Sequence, residues 1–393
     1  MAVEFQDFRP REAYSTAWRC AAVRSTSPFY PEQALPEELL YGREAEIDLL
    51  ENRGMRTASE GRQAAFFLRG GRGLGKSSLV RYVERMAAAR YNFVPVHVSL
   101  SGVRTETDIG AAVLEGISRT VGTWHDLFAM LSRYVRRVGL FGVVEIDFEA
   151  VRQDAPVVAR PERVAALLER LREEARAAGV LLALDEIEDA SREPWLAGYL
   201  KTLWESDATV VRRLPLVLCL CGTLADHEFL RRGHPSVPRM WSVVEVGPLA
   251  PSDGLRVLED GFARAGIVVD RDELSRLVSA SLGHPAALQM LGNLAFWRSR
   301  GAVGEREVSQ ALLGAPAEIT LKFLPGEVGS LPEDALRALA RVFASRAFAS
   351  PVAADAVEPV LGELAPLLTA PLPAGRLAVV DPMLEVYTAL RLE

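Results

Sequence analysis

Between about residue 64 and residue 250 short apolar runs alternate with longer stretches whose apolar residues recur every three or four positions. That alternation is the pattern of a parallel sheet with helices on both faces. The runs are AAFFLRG (64–70), FVPVHVSL (93–100), VLLALDE (180–186), LPLVLCLCGT (214–223) and SVVEVGPL (242–249), each read as a strand. The clearest helix is 160–179, with Val164, Leu167, Leu168 and Leu171 on one stripe, charge on the other face and Gly179 as its terminator. After residue 250 the strands stop. SDGLRVLEDGFARAG, DRDELSRLVSASLG and HPAALQMLGNLAFWRSRG read as three successive helices, a second, helical domain. Two further helices are expected near 332–345 and 352–369, followed by a short strand pair or a strand leading into a terminal helix. Helices followed by a small β element suggest a winged helix-turn-helix. The domains expected are an N-terminal extension (1–37), an α/β domain (38–250), a helical lid (251–325) and the winged helix (326–393). Residues 121–154 interrupt the alternation with an apolar helix and a strand-like FGVVEIDFEA, read as an insertion.

Composition narrows the class. The chain has 393 residues, 49% of them hydrophobic and 25% charged, with a formal net charge of −7. This balance suits a globular protein with a sizeable core and lacks the overall basic field of a protein that grips nucleic acid along its surface. Three cysteines are too few for a disulfide framework. Cys219 and Cys221 alternate within one strand, so they share a face and do not pair readily. No apolar stretch reaches the length of a membrane span, and the first residues carry acids and no apolar signal segment. A cytoplasmic protein with no membrane partner is expected.

Lysine is scarce: Lys76, Lys201 and Lys322 stand among 45 basic residues. Lys76 closes GGRGLGKS, which satisfies G-x-x-x-x-G-K-[ST] between an apolar strand and an amphipathic helix. Glycines at 70, 71, 73 and 75 let the backbone turn tightly, with Arg72 and Leu74 between them, so that amides and the following helix N-terminus meet phosphates. Lys76 suits the β- and γ-phosphates as a compact point charge where a planar guanidinium is too bulky. Ser77 and Ser78 open the helix. The run VLLALDEIED delivers Asp185 and Glu186 to the carboxyl end of a buried strand, where open α/β sheets bind ligands. Asp185 and the Ser77 hydroxyl are the candidate Mg²⁺ ligands, and Glu186 is the candidate general base for an attacking water. Glu188 and Asp189 read as a solvated acidic turn. Thr223, at the end of the neighbouring strand, either reaches the γ-phosphate and its water or caps the next helix.

These residues carry a resemblance. LLYGREAEIDLL (39–50), some twenty residues before the phosphate loop, resembles the h-h-G-R-E segment of STAND-class and archaeal-type AAA+ ATPases, and GHPAALQMLG (283–292) resembles their G-x-P motif on the lid. The resemblance implies a P-loop NTPase of the α/β class binding ATP or ADP, with Gly42, Arg43 and Glu44 touching the nucleotide and Pro285 packing on adenine. HPSVPRMWSVVEVGPLAP (234–251) is similar to the family segment in which an arginine precedes the last strand. Arg239 then serves as an arginine finger or γ-phosphate sensor, in its own subunit or a neighbour's. A departure from AAA+ proteins lies on the lid, where the basic residues after the motif, Arg298 and Arg300, come late in the helix.

The implied function is an ATP-hydrolysing molecular switch whose nucleotide state governs self-association or a protein partner. The alternative is a DNA-dependent ATPase that holds duplex DNA through the winged helix. Charge disfavours the second: from Leu331 onward eight acids face five arginines, and phosphate contacts dominate nucleic-acid affinity.

Overall fold

A computed structural model describes residues 26–31, 33, 40–121 and 160–392. Residues 122–154 of the expected insertion, and most of the N-terminal extension, lie outside the described residues.

The five expected strands form, as β1 (Ala64–Arg69), β2 (Phe93–Ser99), β3 (Gly179–Asp185), β4 (Leu216–Gly222) and β5 (Ser242–Glu245). They make one parallel sheet in the order β2-β3-β4-β1-β5. Every residue of β3 and β4 is buried. Helices cover both faces, so these strands read as continuous apolar runs and show no polar alternation. Alternate residues serve opposite cores. Phe67, Leu182 and Leu220 pack with helices Pro161–Glu174 and Pro194–Trp204, while Phe66, Leu68, Ala183 and Cys219 pack with helix Lys76–Tyr91. Cys219 and Cys221 lie buried together on the second side. One expected boundary moves: helix Pro161–Glu174 ends ahead of Gly179. Arg176, at φ 52°, makes the left-handed turn, and Gly179 opens β3 instead.

The three lid helices are Pro251–Arg264, Arg271–Ala280 and Pro285–Arg298, joined by a fourth, Glu305–Lys322. Two short parallel strands, β6 (Val268–Val269) and β7 (Ala302–Val303), tie their loops. In the C-terminal region helix Glu333–Ala344 is as expected. The single helix expected at 352–369 is divided into strand β8 (Val352–Ala353), helix Ala354–Leu361 and helix Ala365–Leu368, because the chain turns at Gly362, φ 53°. Strands β9 (Thr369–Leu372) and β10 (Arg376–Val379) form an antiparallel hairpin, β8 pairs with the other edge of β10, and helix Met383–Leu392 follows. One apolar cluster runs from Phe262 and Leu288 of the lid through Ile319 to Tyr387 near the C-terminus. The lid and the C-terminal region therefore share a core. No helix among the described residues is long and apolar enough to cross a membrane.

Candidate nucleotide site

The loop after β1 runs directly into helix Lys76–Tyr91, with Gly75 at φ 94° as its first cap. Five consecutive loop carbonyls accept hydrogen bonds from protein donors. Lys76 Nζ donates to the carbonyls of Gly70 and Gly71, both at 2.9 Å. His284 Nε2 lies 3.0 Å from the Arg72 carbonyl, the Ala286 amide donates to Gly73, and Arg43 Nη2 donates to Leu74 at 2.9 Å. With its carbonyl edge so engaged, the loop offers its amide edge and the helix N-terminus to an anion. Residues 72–78 line a cavity of about 410 Å³, a size in the range of small-molecule sites. Its lining also includes the apolar side chains of Leu40, Leu249, Val257, Pro285 and Leu288.

Lys76, Ser77 and Pro285 thus meet at one cavity. Arg43, which the resemblance sets against the nucleotide, is 3% exposed, donates to the Leu74 carbonyl and also to the Gly247 carbonyl at 2.6 Å, and pairs with Glu46 at 3.2 Å. It buttresses the loop from behind while its edge lines the cavity. Gly42 and the exposed Glu44 do not line it.

Asp185 ends β3, buried, with Oδ1 accepting from the Glu186 amide at 2.9 Å. Glu186 is exposed and accepts from the Ser99 hydroxyl. Its backbone sits at φ 55°, a left-handed conformation that is uncommon for a non-glycine residue and concentrates at functional sites. Thr223 caps helix Leu224–Gly233: its hydroxyl donates to Asp226 Oδ2 and accepts from the Asp226 amide, closing a capping box. Of the two roles open to Thr223, the cap is the one formed here. Arg239 is exposed, in a short 3₁₀ turn before β5, and does not line the cavity.

Several residues at the site went unread in the sequence. His284 is fully buried between lid and loop. Its Nδ1 accepts from the Ala287 amide at 3.2 Å, which leaves the proton on Nε2 for the Arg72 carbonyl. Burial holds this imidazole down at about 4, against the raising effect of the bond to Arg72. Only its place inside G-x-P could have drawn notice to it. Glu188 is not a solvated turn residue. It is half-buried 3.7 Å from Arg72 Nε, and burial raises its carboxyl, assisted by the neighbouring Asp226. From the C-terminal region, Asp381 reaches the cavity wall and Pro382 covers Gly71. A Cβ on Gly71 would stand 2.3 Å from Pro382 Cγ, and one on Gly73 would stand 2.4 Å from His284 Cε1, so both glycines are required by close approach. Burial pushes the Asp381 carboxyl up to about 6 although Arg72 and Lys76 pull it down.

Residues 39–213 match the sequence profile of the AAA ATPase domain. No curated protein sequence matches the chain. The Walker-type ATPase paby2304 of Pyrococcus abyssi is similar in structure, with a TM-score of 0.58 at 18% identity over 93% of this chain and 99% of that one. The ADP form of the Aeropyrum pernix ORC2 protein gives a TM-score of 0.52 at 17% identity, over 93% and 97%. At such identities the likeness is one of fold. The fold is that of the P-loop NTPases.

Proposed function

We propose that the protein binds and hydrolyses ATP as a molecular switch of the STAND/AAA+ type, its C-terminal region forming a winged helix that reports the state of the phosphate loop. The observation that carries this reading is the double grip on that loop: His284 and Ala286 of the lid bond to Arg72 and Gly73, and Pro382 packs on Gly71. Lid and C-terminal region share one core, so displacement of either by bound phosphates strains the other.

In this reading Lys76 and the loop amides hold the phosphates, and the apolar side chains of the cavity lining take the base. The Ser77 hydroxyl and the Asp185 carboxylate are hard oxygen donors of the kind Mg²⁺ prefers. When bound, that ion neutralises phosphate charge. Glu186, fixed by Ser99 and by its left-handed backbone, orients and deprotonates the attacking water. Arg239 is exposed and does not line its own cavity; in this reading it serves a neighbouring subunit as a finger, and the ATP state self-associates or engages a protein partner.

The test is phosphate release together with light scattering after size exclusion, for the wild type, Glu186→Gln and Glu188→Gln, with ADP or ATP. Glu186→Gln is expected to bind ATP, assemble and fail to turn over. Unchanged turnover in Glu186→Gln with loss in Glu188→Gln would move the base to Glu188. The same molar mass for the Glu186→Gln variant in ATP and ADP would sink the assembly reading.

A further inference from the structure

The cavity wall contains one buried amide whose orientation is fixed by the backbone of a neighbouring wall segment. Gln289 lies one helical turn after Pro285 on the same face of helix Pro285–Arg298, is 3% exposed and lines the cavity. Its Oε1 accepts from the backbone amide of Tyr30 at 2.9 Å. Tyr30 belongs to a strap ahead of the ATPase domain. The preceding Phe29 is 4% exposed, stands edge-on to Phe262 with ring centroids 4.9 Å apart and packs over Gly261 and Gly292. The strap's amide is therefore held in place by lid packing, and Tyr30 itself forms part of the cavity wall.

A backbone N–H can only donate, so it selects the oxygen end of the carboxamide and forbids the flipped arrangement. The Nε2 end is left over, and no described residue accepts from it. Facing the cavity, that donor favours a ligand that supplies an acceptor over one that sets a donor against it.

We infer that Gln289 reads the nucleotide's base: its Nε2–H donates to a ring nitrogen of adenine, with Tyr30 fixing which end of the amide faces the cavity. This rests on the nucleotide reading above and deepens it to base selectivity. Adenine N1 is an acceptor, whereas guanine carries N1–H at the same position and would set donor against donor. The site is thereby an adenine site that rejects guanine.

Replacing Gln289 by Glu keeps an oxygen for the Tyr30 amide and exchanges the donor for a carboxylate oxygen. The measurement is the affinity of fluorescently tagged ADP and GDP for the wild type and Q289E, at pH 8 so that the carboxylate is ionised, with Gln289→Leu as a variant that removes both polar ends. For the wild type ADP is expected to bind roughly ten- to a hundredfold tighter than GDP, the range set by leaving one buried polar group unpaired. In Q289E that ratio is expected to fall at least tenfold and in Gln289→Leu to approach one. An ADP-to-GDP ratio equal to the wild type's in both folded variants would overturn the inference, because a residue that merely anchors the strap would move both affinities together. Absence of binding of either nucleotide to the wild type would instead overturn the nucleotide reading itself.

Discussion

Asp381 offers a quantitative test of how the C-terminal region sits on the phosphate loop. Asp381 is half-buried at the cavity wall, where desolvation favours the neutral form of its carboxyl. The Met383 amide, at 2.9 Å from Oδ1, and the charges of Arg72 and Lys76 favour the ionised one. Desolvation wins, and the group titrates at about 6 against an ordinary value of 3.8. A folded-state value above the unfolded one means that folding stability is full below the unfolded value and is lost as pH rises through the folded one. The shift of roughly two units corresponds to about 3 kcal/mol lost at high pH, at about 1.4 kcal/mol per unit. Asp381→Asn keeps an oxygen for the Met383 amide and resembles the protonated acid at every pH. The variant should therefore be more stable than the wild type by about 3 kcal/mol at pH 8 and by only about 1 kcal/mol at pH 4.5. Denaturant unfolding of both proteins at the two pH values, followed by tryptophan fluorescence, measures the gap. A variant less stable than the wild type at pH 8, or a gap that narrows as pH rises, would show that attraction to Arg72 and Lys76 outweighs desolvation and would refute the argument.

His284 should give the opposite slope. Its folded value of about 4 lies below the usual 6.5, so its contribution is present above pH 6.5 and falls by about 3 kcal/mol as pH drops to 4. The difference in unfolding free energy between the wild type and His284→Phe should shrink over that interval, and a constant difference would contradict the neutral, Nε2-protonated assignment. Lys76 is 9% exposed and holds two loop carbonyls, so Lys76→Ala and Lys76→Arg should both weaken ADP binding roughly ten- to a hundredfold, the worth of a charge-assisted bond. Calorimetric titration with ADP checks it, and near-wild-type affinity in Lys76→Arg would contradict the steric part of the reading.

What was legible in the sequence is what neighbouring residues decide together. Strands β1 to β5 announced themselves because burial on both faces leaves unbroken apolar runs. Gly70 to Ser77 announced the phosphate loop because eight contiguous residues make that turn. Asp381 could be counted only as one of the acids that make the C-terminal region negative; its burial arises from packing across some three hundred residues. Glu188 looked like a solvated neighbour of Asp189, and periodicity could not show that the chain after β3 turns it toward Arg72. Arg239 had a position in the sequence but no direction, and in the fold it faces solvent. The helix expected over 352–369 was divided by Gly362, whose turn outweighs the apolar pattern running through it.

The unread residues have a common property that bears on the proposed switching. His284, Ala286, Pro382 and Asp381 all address the stretch from Gly71 to Lys76, and all come from the helices after the sheet or from the C-terminal region. The first three bind the loop by its carbonyls and by van der Waals contact, which leaves the amide edge to an anion. A phosphate on that edge therefore does not compete with the lid for hydrogen bonds. It competes, through charge, with Asp381. An added anion repels the ionised carboxylate and leaves the neutral acid nearly untouched, so nucleotide binding and Asp381 protonation are thermodynamically linked. On this reasoning ADP affinity of the wild type should fall as pH rises from 5 to 8, while that of Asp381→Asn should change less over the same range. Parallel pH profiles for the two proteins would show that the carboxylate and the phosphates do not sense one another.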